Sequence, residues 1–124
     1  MGQPVNWLLD TNILIDYLQG REDALQGLSA PEARFVSIVT WMEVLVGAQT
    51  DAEEAQLKHW MQLFEIVPVD DEIAQGAVQL RRRQQRLRLP DAIIWSSAQT
   101  RSLILVTRNT RDFPESTPGV HCPY

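Results

Sequence analysis

The sequence predicts an α/β fold built on a mostly parallel sheet, and three features carry that prediction. Short apolar runs such as Val5-Asn6-Trp7-Leu8-Leu9 and Leu103-Ile104-Leu105-Val106 have the length and bulk of buried strands. Segments with apolar residues at helical spacing separate these runs, so each strand is followed by a helix that can return the chain to the sheet. The strands also end abruptly at small polar or acidic residues, as happens where a strand runs into the N-terminus of its helix.

In order along the chain, the first strand ends at Asp10, and Ile13, Leu14, Tyr17 and Leu18 then recur at helical spacing, with Gly20 as a C-cap. Arg21 to Ser29 reads as a second short helix, broken by Pro31 before a second strand over Ala33 to Val39. Thr40-Trp41-Met42-Glu43 has the form of a capping box, with Val44, Leu45 and Ala48 continuing its apolar face. Thr50 to Glu54 restarts a helix with an acidic first turn, carrying Leu57, Trp60, Met61 and Phe64 on one side. Ile66 to Val69 is a short strand that Pro68 demotes towards an edge.

Asp70 and Asp71 cap the next helix, whose apolar stripe is Ile73, Ala77, Leu80 and Leu87 and whose later turns hold Arg81, Arg82, Arg83, Arg86 and Arg88. Pro90 opens another helix at Asp91, with Ile93, Ile94, Trp95 and Ala98 facing inward. Leu103 to Val106 is the most apolar strand and ends in Thr107-Arg108-Asn109-Thr110-Arg111-Asp112-Phe113. A tail with three prolines follows, with a last short strand around Val120 and His121.

At 124 residues, with 44% apolar and 22% charged residues, the chain suits one folded domain over 1–124. It holds no internal repeat or low-complexity tract. The single cysteine, Cys122, has no partner for an intrachain disulfide, which favours a reducing, cytoplasmic compartment. Met1-Gly2-Gln3-Pro4 lacks the basic start of an export signal, and no apolar run approaches the ~20 residues of a bilayer span, so no membrane association is expected.

A formal charge of −5 argues against a protein that holds nucleic acid simply by being basic. The charge is unevenly placed, however. Residues 1–70 carry three basic residues against eleven acidic ones, a net of −8, while residues 71–124 carry eight arginines against five acids, a net of +3. Any polyanion contact is therefore expected in the second half.

In parallel sheets reactive groups gather outside the carboxyl ends of the strands. Asp10 ends the first strand, Glu43 lies one turn into the helix after the second, Asp91 begins a helix that can face the same cleft, and Asp112 follows the strand ending at Val106. Singly, each has a structural explanation. Asp10 can cap its helix, Glu43 can complete the capping box, Asp91 sits where the helix dipole favours an anion, and Asn109 or Asp112 can cap a turn.

Convergence of four such acids from different elements needs a different explanation. Clustered carboxylates repel, which raises their proton affinity or calls for a cation. All-oxygen ligands suit Mg²⁺ or Mn²⁺, and His59, His121 and Cys122 lack zinc-ligand spacing. A carboxylate-held Mg²⁺ suits phosphodiester hydrolysis. Arg108 and Arg111 flank the site and are the favoured RNA contacts. The arginines at 81 to 88 are explained at least as well by the helix dipole.

The ordered set Leu8-Leu9-Asp10-Thr11-Asn12-Ile13-Leu14-Ile15, Trp41-Met42-Glu43-Val44-Leu45-Val46-Gly47, Leu89-Pro90-Asp91-Ala92-Ile93-Ile94 and Thr107 to Phe113 resembles the PIN-domain ribonucleases, most closely VapC-type toxins of toxin-antitoxin pairs. The resemblance implies a three-layer α/β/α sandwich that cleaves single-stranded RNA with Mg²⁺ or Mn²⁺, in tRNA, rRNA or mRNA. It implies Asp10 and Asp91 as principal metal ligands and Glu43 as an assisting one, with Thr11, Asn12, Thr107 and Asn109 supporting the site. For the fourth corner it leaves Asp112, or Asn109 through its carbonyl, where many relatives carry aspartate.

The resemblance further implies a homodimer and a cognate antitoxin, with DNA reached only through the antitoxin; Trp41, Met42, Trp60, Met61 and Phe64 are candidates for those surfaces. One alternative keeps the fold but makes the chain mainly a binding partner in an antitoxin–DNA regulatory complex. A second, a phosphotransfer domain with Asp10 as nucleophile, lacks the second acid two residues on, where Asn12 stands.

Overall fold

The structure, a computed structural model, describes residues 6–114 and 116–124. Val5, from which the first strand was expected, and the leader reading of Met1 to Pro4 lie outside the described residues. The elements run β1 (Trp7–Leu9), α1 (Thr11–Leu18), α2 (Glu22–Leu28), β2 (Ala33–Ser37), α3 (Ile38–Val46), α4 (Asp51–Met61), β3 (Glu65–Val67), α5 (Asp71–Arg83), α6 (Leu89–Thr100), β4 (Ile104–Val106) and β5 (Val120–His121). The strands form one sheet in the order β3-β2-β1-β4-β5, and every adjacent pair is parallel. β3, the strand followed by Pro68, does lie at an edge.

Strand alternation produces the three layers. Successive strand residues point to opposite faces, so Leu8, Phe35, Val67 and Leu105 join one apolar cluster with Ile73, Ala77, Ile94 and Phe113 from the α5/α6 side. Their neighbours Leu9, Val36, Ile66 and Val106 join the other, with Ile13, Leu14, Val44 and Met61 from α1, α3 and α4. A strand covered on both faces needs apolar residues at consecutive positions, which is why these runs do not alternate with polar residues.

Several boundaries differ from the sequence reading. β2 stops at Ser37, whose hydroxyl accepts from the Val39 N–H at 3.1 Å and so caps α3 three residues earlier than Thr40. Thr40 lies inside α3, fully buried, and the capping box with Glu43 does not form. The Glu three positions after a capping Thr occurs instead at Thr50 and Glu53: Thr50 Oγ1 accepts from Glu53 N, and Glu53 accepts from Gln49 N. Gln19 caps α1, and Gly20 follows it at φ +82°, the left-handed turn that glycine permits. Leu87 is buried as expected but lies beyond the end of α5.

The aromatic surface expected on α3 and α4 is largely core. Met61 is 1% exposed, and Trp41, Trp60 and Phe64 are half-buried against the second cluster, Trp60 stacking on Tyr17 at 5.3 Å. Met42 remains exposed. No helix among the described residues is long and apolar enough to cross a membrane.

Candidate active site

Because all strands are parallel, their carboxyl ends open on one edge, and the chain leaves β1, β2 and β4 there. Asp10 extends β1 by one residue, its N–H donating to Val106 O at 2.9 Å, and then caps α1. One carboxylate oxygen accepts from Thr11 N at 2.7 Å. The other accepts from the Thr107 hydroxyl at 2.8 Å and from Asn12 Nδ2 at 3.3 Å. Thr107 Oγ1 in turn accepts from Asn109 N at 3.0 Å, and Asn12 Oδ1 accepts from Arg108 N at 3.2 Å. The ends of β1 and β4 are thus cross-linked through side chains.

Glu43 reaches the same edge from α3. Its Oε1 accepts from the Thr11 hydroxyl at 2.7 Å, and the Thr11 and Thr40 hydroxyls lie 3.0 Å apart. Asp91 enters from the first turn of α6, which Pro90 opens. Asp10, Glu43 and Asp91 line one cleft of about 320 Å³ together with Thr11, Asn12 and Asn109.

Asn109 and Asp112 bond reciprocally: Asn109 Nδ2 donates to Asp112 Oδ2 at 2.9 Å, and Asp112 N donates to Asn109 Oδ1 at 3.3 Å. Of the two candidates for the fourth corner, Asn109 lines the cleft. Asp112 lines a second depression with Arg86 and Arg111, and its charge acts on Asp91 ahead of that of Glu43, so both residues border the site.

The carboxylates strain against being charged together. Burial pushes the Asp10 carboxyl up to about 6; the bonds from Thr107 and Thr11 offset part of this, and the charges of Asp91 and Glu43 add to it. Asp91 is also raised, first by burial, then by Asp112 and Glu43, with Arg88 pulling the other way. Among the described residues no three His, Cys, Asp or Glu side chains close into a metal cage. The acids share a cleft wall without converging on one point. That arrangement fits a hard divalent ion which keeps several of its own waters and takes one or two carboxylates directly.

Arg108 borders the cleft, but its guanidinium is committed elsewhere. It donates to both oxygens of Asp16, at 2.7 and 3.1 Å, and Asp16 also accepts from the Tyr124 hydroxyl at 2.7 Å. Arg21 lies 3.7 Å from the same carboxylate and 4.2 Å above the Tyr124 ring. Burial alone would raise Asp16; the bonds from Arg108 and Tyr124 and the nearby cations outweigh it and hold the carboxyl low. Burial and Asp16 push the Tyr124 phenol up to about 12.

Sequence reasoning missed this cluster, although Asp16 follows Asn12 by four and Ile13 by three, an acid on the buried face of α1. It also missed Thr40 as a neighbour of Thr11. No local signal marks that contact, which depends on where α3 starts.

The family description "PIN domain" matches residues 7–116. Ribonuclease VapC1 of Methanocaldococcus jannaschii is 32% identical over 110 residues, covering 86% of this chain and 77% of its own. In three dimensions the chain is similar to a toxin-antitoxin complex from Klebsiella pneumoniae, with TM-score 0.87, 44% identity, and 96% and 98% of the two chains covered. It is also similar to a DNA-bound VapBC from Salmonella typhimurium, with TM-score 0.78, 26% identity, and 95% and 96% covered. Matched across nearly its whole described length, this chain belongs to the PIN-domain family and, within it, to the VapC ribonucleases.

Proposed function

We propose that this chain is a metal-dependent endoribonuclease toxin that hydrolyses phosphodiester bonds in single-stranded RNA, in tRNA, rRNA or mRNA, and is held in check by a cognate antitoxin. The observation that carries this reading is the cleft itself: Asp10, Glu43 and Asp91 line one wall, and burial with mutual repulsion raises the proton affinity of Asp10 and Asp91. Acids brought together at such a cost suit cation binding better than helix capping, which needs only one carboxylate per helix.

Mg²⁺ or Mn²⁺ bound there would supply a water of lowered pKa and counter the charge that develops on the phosphate. Asp10 and Asp91 are its principal ligands and Glu43 assists. The chain's other residues fix these groups. Thr107 and Asn12 lock the rotamer of Asp10, Thr11 orients Glu43, and Asn109 completes the wall with its amide tied to Asp112.

The partner reading rests on relatives. The Klebsiella neighbour is a toxin-antitoxin complex and the Salmonella one a VapBC bound to DNA. For this chain we infer an antitoxin partner, a homodimeric toxin, and DNA contact only through the antitoxin. If the chain acted mainly as a binding partner in such a complex, its phenotype would not depend on Asp91. The test is RNA cleavage and growth arrest by Asp10→Asn and Asp91→Asn, with folding checked by circular dichroism. Both variants should lose cleavage and arrest while staying folded, and full activity in either overturns the assignment.

A further inference from the structure

Arg81, Arg82, Arg83, Arg86, Arg88 and Arg111 are all exposed, on a chain whose net charge is −5. Among the described residues none of the six forms an ion pair, whereas Arg21, Lys58, Arg101 and Arg108 each have a carboxylate partner. The helix dipole explains Arg81, Arg82 and Arg83, which occupy the last turn of α5. It does not explain the others. Arg86 lies past the end of α5, Arg111 is on the loop after β4, and Arg88 is the N-cap of α6, where the dipole opposes a cation.

Four of the six, Arg81, Arg82, Arg86 and Arg111, line two depressions that share Gln85. Arg81, Arg82 and Gln85 line a shallow depression of about 570 Å³. Gln85 also lines the next one, of about 260 Å³, with Arg86, Arg111 and Asp112. Asp112 is bonded to Asn109, which lines the carboxylate cleft, and Arg88 is the N-cap of α6, in whose first turn Asp91 stands. Uncompensated cations therefore run from the end of α5 to the edge of the acidic site.

We propose that this strip is a track for the phosphate backbone of single-stranded RNA, leading it into the carboxylate cleft; the proposal rests on the ribonuclease reading above. Guanidinium groups on a shallow polar surface suit phosphate contacts that position a strand without reading its bases. A docked protein would need an apolar anchor at the centre. The one apolar residue lining either depression, Leu87, is 1% exposed.

The experiment compares the wild-type chain with the triple variant Arg81→Gln, Arg82→Gln, Arg86→Gln. Binding of a labelled single-stranded oligoribonucleotide is measured by fluorescence anisotropy over a series of salt concentrations. Each single-strand phosphate contact contributes about 0.7 to the slope of log K against log salt, so losing three should flatten that slope by about 2 and weaken binding at low salt at least about tenfold.

In cleavage assays KM for a long RNA should rise with kcat kept, while a short oligonucleotide held only at the cleft should be cut as before. Arg86→Gln with Arg111→Gln, both off the helix, should act in the same direction, which separates contact from helix loosening. Arg34→Gln with Lys58→Gln, on other faces, should leave the slope unchanged.

Wild-type affinity and slope in the triple variant overturn the track, as does an equal loss in the Arg34/Lys58 control. Unchanged RNA binding with lost antitoxin binding also overturns it, making the strip a protein-docking surface. Wild-type RNA binding through the strip without any cleavage overturns the ribonuclease reading and leaves the track standing.

Discussion

Replacing Asp10 by asparagine should stabilise the metal-free protein at neutral pH while abolishing cleavage. The native carboxyl is raised from 3.8 to about 6, chiefly by burial, so the folded state binds the proton more tightly than the unfolded chain does. A group raised in this way favours folding below its unfolded pKa and loses that contribution as pH rises through the folded value. At pH 7.5 the ionised carboxylate thus costs about 3 kcal/mol relative to a neutral group, falling to about 1 kcal/mol at pH 4.5.

Asparagine removes this cost but cannot accept from Thr11, Thr107 and Asn12 as the carboxylate does. One mismatched bond costs about 1 kcal/mol. The net gain is about 2 kcal/mol at pH 7.5, on the order of 4–8 °C in Tm, and near zero at pH 4.5. Urea denaturation at the two pH values, in chelator, measures it. A variant less stable than wild type at pH 7.5, or a gain that does not shrink with acid, would refute the argument that burial and crowding raise Asp10.

Other substitutions probe the frame around the site. Asp16→Ala leaves the Arg108 guanidinium and Tyr124 hydroxyl without their shared acceptor and should cost about 2–4 kcal/mol by chemical denaturation. Because Asp16 is held low, its contribution is present above the unfolded pKa and disappears as pH falls through the folded value, so wild type and variant should converge in acid.

Thr107→Val removes the main donor that holds the Asp10 carboxyl down and leaves Asn109 N–H without its acceptor. The acid limb of the cleavage profile should move to higher pH, and the rate at pH 7 should fall. At the α5/α6 contact, a Cβ on Gly76 would overlap Ser96 Oγ, which donates to Ile73 O at 2.7 Å. Gly76→Ala should therefore destabilise by about 1–3 kcal/mol, and adding Ser96→Ala should recover part of it, a coupling readable in a double-mutant cycle.

What the sequence by itself determined is what one segment can settle. Bulky apolar runs at Trp7–Leu9 and Ile104–Val106, too short for helices and each ended by a polar residue, read as buried strands, helical spacing from Ile73 to Ala77 and from Ile94 to Ala98 selects one face, and Asp10 follows from its strand ending. The carboxylates at 10 and 91 stood out because each sits at a punctuation mark of the chain, the end of a strand or the opening of a helix, whereas Glu43 stood out through a capping box that does not form and lies inside α3.

Tertiary structure alone decided which atoms meet. Ser37 rather than Thr40 caps α3 because β2 must end in register with β3, where Ser37 pairs with Val67. That frees Glu43 to bond Thr11 from the far side of the site. Asp16 holds Arg108 across 92 positions, and Asn109 and Asp112 bond each other at the border of the cleft. These are contacts between groups far apart in sequence, created only when the parallel sheet brings the ends of β1, β2 and β4 to one edge. Local periodicity carries no information about them, because the same side chains in the same order would meet other partners if the strands were ordered differently.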